Sequence, residues 1–152
     1  MIGYKTTFMK SILCYLLLTV SITSFSQKKL DQLAEGNAIR HVLAQQVSDW
    51  NSFNIEGFMQ GYWKSDSLMF IGSKITHGWD STLARYKRSY PNQEAMGKLR
   101  FEIIRLLFTS SNACLVTGKY FLQRKADNPS GIFTLLFRKK NGKWVVAYDH
   151  TS

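Results

Sequence analysis

Apolar positions recur with helical spacing at the start of the mature region. Ile39, Leu43, Val47 and Trp50 fall on one face of a helix predicted over Leu30 to Phe53, with Arg40, Gln45, Ser48 and Asp49 mostly off it. Asn54 suits the cap of a second, short helix, Ile55 to Tyr62, with Glu56 in its first turn. Ser67 to Gly72 is short and apolar and reads as a strand closed by Gly72. A third helix starts near Asp80 and stops at Pro91. Trp79, Leu83, Tyr86 and Tyr90 form its apolar stripe, and Arg85, Lys87 and Arg88 its solvent face. Residues 92–97 read as a polar connection.

From Lys98 the period changes to two. Leu99 to Phe108, Ala113 to Lys125, Ile132 to Lys140 and Lys143 to the end read as four long strands. Ser110 to Asn112 and Asp127 to Gly131 are turns, and Asn141-Gly142 marks a type I′ hairpin. Helices first and an antiparallel meander afterwards give an α+β fold.

The N-terminus reads as an export signal. Lys5 and Lys10 precede the apolar run Ile12 to Ile22, and Ser24 and Ser26 are the small residues before a cut at Gln27. Residues 1–26 are thus assigned to a signal peptide and 27–152 to one domain. Localisation is expected to be periplasmic or extracellular, with no stable membrane anchor after cleavage. Of the 152 residues, 20 are Lys or Arg and 10 are Asp or Glu, and cleavage removes two lysines and no acid. The basic clusters sit where solvated helix faces and hairpin ends are expected, and no nucleic-acid motif accompanies them. Cleavage leaves only Cys114, which excludes an intrachain disulfide and reads as a small buried hydrophobe. His41, His77 and His150 lie far apart, without ligand spacing, so neither metal nor cofactor is expected.

Three stretches carry a family resemblance: Val47-Ser-Asp-Trp-Asn-Ser-Phe-Asn-Ile-Glu-Gly-Phe-Met59, Gly78-Trp-Asp-Ser-Thr-Leu-Ala-Arg-Tyr86 and Asn141-Gly-Lys-Trp-Val-Val-Ala-Tyr-Asp-His-Thr-Ser152. With the order of elements, they resemble the nuclear transport factor 2-like (cystatin-like) superfamily. Within it they resemble the SnoaL-like group, in particular domain of unknown function 4440. The resemblance implies N-terminal helices packed in a strongly curved, cone-shaped antiparallel sheet. It also implies a pocket at the open end and a homodimer. It does not settle function, since members include isomerases, cyclases, dehydratases and assembly domains.

On a regular last strand, Trp144, Val146, Tyr148 and His150 share one face, and Asp149 and Thr151 the other. Only a bulge would bring Asp149 and His150 into one pocket. Trp144 and Val146 read as core-facing, which puts His150 on the inner face as the candidate acid/base catalyst. Asp149 is also suited to holding a donor of a neighbouring strand or an Arg. The expected pocket comprises Trp50, Trp79, Tyr86, Tyr148 and Asp149 around His150. Three functions fit. One is binding of a small apolar or aromatic molecule. The second is a cofactor-free isomerase- or cyclase-type reaction through His150. The third is a homodimeric interaction domain with a vestigial pocket. Arg100, Glu102 and Lys119 make the sheet's outer face look too polar for a strong obligate interface.

Overall fold

A computed structural model describes residues 31–152. The proposed signal segment and its cut lie outside the described residues. Of a first compact unit, Met1–Gly36, residues 31–36 are described and are helical. The second unit is Asn37–Ser152.

The second unit opens with α1, residues 37–51. Ile39, Leu43, Gln46 and Trp50 are its buried stripe, so Gln46 takes a position that the apolar pattern gave to Val47. Its amide is not wasted there, because Nε2 donates to the Phe58 carbonyl at 3.1 Å. Phe53, at φ 62°, turns the chain into α2, Ile55–Met59. Asn54 caps α2 as expected: its Oδ1 accepts from the Gly57 N–H at 2.8 Å. Next come β1 (Met69–Ile71), β2 (Ile75–His77), α3 (Trp79–Ser89) and α4 (Gln93–Met96). Four long strands complete the unit: β3 (Lys98–Ser110), β4 (Ala113–Gln123), β5 (Ser130–Lys140) and β6 (Lys143–Thr151).

The strands form one curved, unclosed sheet in the order β2-β1-β6-β5-β4-β3. The four long strands are the antiparallel meander that the period of two predicts. Asn141 and Gly142, at φ 49° and 77°, form its last turn. Three features depart from the sequence reading. The edge strand β2 lies in a stretch given no element, α4 was read as a polar connection, and β1 pairs with β6 in parallel. A three-residue strand is too short to show its period, and parallel pairing across nearly 80 residues leaves no local signal.

The sheet's two faces differ. The inner one packs on α1–α3 through Val116, Leu135, Phe137, Trp144 and Val146, and Cys114 is buried among them as a small hydrophobe. Arg100, Glu102 and Lys119 lie outside as expected. Beside them runs a row that the sequence reading did not anticipate: Leu107, Leu115, Leu136, Tyr148 and Met69 are register partners in turn across five strands. Leu107 is 41% exposed, and the others are half-buried. The outer face is therefore less polar than those three charges suggest.

Candidate functional site

One irregularity in β6 decides what the last strand offers. Phe137 pairs with Val146 but Leu136 pairs with Tyr148, so Ala147 is an extra residue with no partner on β5. This bulge reverses the alternation. Trp144 and Val146 point inward before it, and Asp149 points inward after it: Asp149 is 3% exposed. His150 is exposed on the outer side, in register with Thr134 and Ile71. The expectation of an inward-facing His150 is thus corrected, and the side chain presented inside is the neighbouring carboxylate.

Asp149 sits at the end of a chain of hydroxyls. Tyr62 Oη donates to its Oδ2 at 2.7 Å, and Thr151 Oγ1 donates to its Oδ1 at 2.6 Å. Tyr62 Oη lies 3.4 Å from Tyr86 Oη. Since the Tyr62 proton is committed to Asp149, Tyr86 is the donor of that long contact. Its hydroxyl is only weakly hydrogen-bonded and is free for a better acceptor. Tyr62 is placed by backbone bonds to the bulged strand: Val146 N donates to Gly61 O at 2.9 Å, and Trp63 N to Val146 O at 2.8 Å. Burial pushes the Asp149 carboxyl up to about 6; the Thr151 and Tyr62 hydrogen bonds, and the charges of His150 and Arg85, pull the other way. Burial also raises Tyr62 and Tyr86 well above the ordinary phenol value, with the Asp149 charge adding to it.

These groups line a cavity of about 170 Å³ between the helices and the inner face of the sheet. That is room for a molecule of roughly ten non-hydrogen atoms, on the scale where one water needs about 10–15 Å³. Its walls are mainly aromatic: Trp50 from α1, Phe58 from α2, Phe70 from β1, Tyr86 from α3, Tyr90 at its C-cap, and Phe101, Tyr120 and Phe133 from the sheet. Tyr86 and Tyr90 stack at 5.9 Å, and Trp50 meets both edge-on at 6.1 and 4.7 Å. The Trp50 indole N–H donates to the Met96 carbonyl at 3.2 Å, which fixes α1 to α4.

Of the six candidate residues, the structure brings Trp50, Tyr86 and Asp149 together around this cavity. Trp79 is buried elsewhere, its indole N–H donating to the Met59 carbonyl at 2.8 Å. Tyr148 lies in the outer-face row, because the bulge turns it outward together with His150. Among the lining residues that were missed, two bear on the chemistry. Tyr62 was taken for the end of a helix, and Arg85 was assigned to a solvent face. The spacing Thr82, Arg85, Ser89 was the available signal for Arg85, since it runs beside the Tyr86–Tyr90 stripe. Among the described residues, no three His, Cys, Asp or Glu side chains converge as a metal site would need.

No family model and no curated protein matches the chain, so the finer SnoaL-like grouping rests on its motifs alone. Solved structures do match. A ketosteroid isomerase-like protein from Erwinia carotovora atroseptica superposes with a TM-score of 0.59 at 19% identity, over 76% of this chain and 93% of that one. A cystatin-like domain of unknown function from Nostoc punctiforme gives 0.66 at 19% identity, over 78% and 76%. At that identity the likeness concerns the fold. A nuclear transport factor 2-like protein of unknown function from Shewanella oneidensis goes further, with a TM-score of 0.76 and 40% identity over 78% of this chain and 98% of that one. Similarity of that extent in both sequence and fold makes the chain a member of the nuclear transport factor 2-like family.

Proposed function

We propose that the domain binds a small, largely apolar or aromatic molecule in the cavity between its helices and its sheet, polar end toward the Tyr86–Tyr62–Asp149 chain. The observation that carries this reading is the weakly held Tyr86 hydroxyl, facing an aromatic-walled cavity beside a buried carboxylate. Such cavities bury the ligand body, while a few polar groups fix its orientation. Thermal-shift screening against aromatic compounds of about ten heavy atoms tests it, since a ligand of the native state raises the melting temperature. Hits with a polar end should bind Tyr86→Phe about five- to tenfold more weakly, the loss of one hydrogen bond. His150→Ala, altered on the outer face, should bind them like the wild type. A screen without hits, or hits indifferent to Tyr86→Phe, would sink this reading.

A second reading is a cofactor-free isomerase- or cyclase-type reaction with Asp149 as the acid/base. What favours it is the carboxyl held at about 6, where both protonation states are accessible at neutral pH.

The export and homodimer expectations are kept as proposals. A second copy of this chain suits the outer-face row of Leu107, Leu115, Leu136 and Tyr148, which a two-fold axis would pack on itself. Sedimentation of residues 27–152 should then give a dimer, and Leu136→Glu a monomer with the cavity intact. A wild-type monomer at high micromolar concentration would remove the proposal.

A further inference from the structure

Arg85 is the lining cation, and nothing in the reading above uses it. Its Nη1 donates to the Lys74 carbonyl at 2.7 Å and the Thr76 hydroxyl at 3.0 Å. The guanidinium lies over the Phe70 ring, 4.7 Å from its centroid. Gly72 leaves room for it: a β-carbon there would come within 2.9 Å of Arg85 Nη2. Backbone, hydroxyl and ring thus hold this side chain in the space that Gly72 leaves. Yet among the described residues the ion pairs are Glu56–Lys87, Arg100–Glu102 and Arg124–Asp127, and none involves Arg85. The guanidinium is oriented and half-buried but has no carboxylate partner.

Its position relative to Asp149 follows from the sheet. Phe70 is the register partner of Asp149, so Arg85 stacks on the side chain next to the buried acid. Tyr86, Tyr62, Asp149 and Thr151 thus form one connected polar cluster with Arg85 beside it. Leu99, Phe101, Leu122, Phe133 and Leu135 supply apolar wall, and Gln46, Ser89, Tyr90 and Tyr120 are the other polar lining residues.

Resting on the proposed binding function, we propose that the ligand is a small carboxylic acid with an aromatic or apolar body, its carboxylate held by Arg85 and by the Tyr86 hydroxyl. Three ligand charges can be weighed against the groups present. A cationic ligand would face Arg85, while Asp149 already accepts from two hydroxyls. A neutral ligand would leave the guanidinium with its Lys74 and Thr76 acceptors and the longer-range charge of Asp149 only. A carboxylate matches the planar fork of Arg85, and charge-assisted bonds of that kind are about twice as strong as neutral ones.

The test is calorimetric titration of residues 27–152 with three probes of one shape: cinnamate, cinnamamide and cinnamylamine. The expected order for the wild type is cinnamate first, tighter than the amide by about tenfold or more, with the amine weakest. Arg85→Gln should bring cinnamate to within about threefold of the amide, because the acid loses far more than the amide does. Arg85→Lys should keep an intermediate preference, since the charge stays and the fork is lost. Circular dichroism checks that both variants fold, and the wild-type order is decisive without them. Equal binding of acid and amide overturns the carboxylate inference and leaves the pocket reading standing, as does the amine binding tightest. If none of the three binds the wild type, the inference fails, and the thermal-shift screen decides the proposed function separately.

Discussion

Replacing Trp50 with alanine should destabilise the domain by about 3 kcal/mol, near the lower end of the range for buried tryptophan truncations. The indole is 3% exposed and touches Phe58, Tyr86 and Tyr90 edge-on. Its N–H also satisfies the Met96 carbonyl, which would lose its partner. These losses point to a large effect. One face of the indole borders the cavity, however, so part of its surface has no packing partner to lose. Urea unfolding of the variant should show a lower midpoint at an unchanged slope. Trp50→Phe keeps most of the contacts and should cost less than half as much. A fall below about 1 kcal/mol for the alanine variant would mean that the cavity walls collapse onto the space, and that Trp50 does not hold the cavity open.

Legibility in the sequence followed the range of the interactions involved. Local signals located α1, α2, α3, the meander and the Asn141-Gly142 turn, because each depends on residues a few positions apart. The Asn54 cap was legible for the same reason. Trp50 and Tyr86 could be placed by helical spacing. The face occupied by Asp149 and His150 could not be, because it depends on the unpaired Ala147, and a bulge has no signature in the alternation of Trp144 to Thr151 itself. A single extra residue exchanged the expected histidine for its neighbouring aspartate, and it sent Tyr148 to the outer row. Tyr62 escaped for a related reason. Its role is set by a bridge to Val146, more than 80 residues away, and by a bond to Asp149 that exists only once the sheet has formed. Arg85 was read as a surface charge because its holders, Lys74 and Thr76, belong to a stretch in which no element was recognised.

The pH dependence of stability should carry the mark of Asp149. Its ordinary value is 3.8, and burial brings it to about 6 in the folded chain. Between those values the folded state holds a proton that the unfolded state has released. The slope of unfolding free energy with pH is therefore negative. Asp149 thus contributes stability that is fully present below about 3.8 and is lost as pH rises through about 6. Two units correspond to about 3 kcal/mol in all, of which about 2 fall between pH 4.5 and 7.5. Glu56, lowered mainly by its hydrogen bond with Lys87, works in the opposite sense, but it is exposed and screened. The comparison needs Asp149→Asn beside the parent, both in a His150→Ala background, since the His150 charge acts on Asp149. The remaining neighbours are Tyr62 and Tyr86, which titrate far above this range, Thr151, which does not titrate, and Arg85, which stays charged. Urea unfolding at four pH values should show the parent losing stability relative to the asparagine variant as pH rises. Parallel profiles would mean that the carboxyl is solvated, and a gain with pH would mean that its hydroxyl partners outweigh burial. Either result would also change the chemistry at the cavity's inner end. A carboxyl that exchanges its proton near pH 6 can both accept from and donate to a bound molecule, whereas one ionised throughout can only accept.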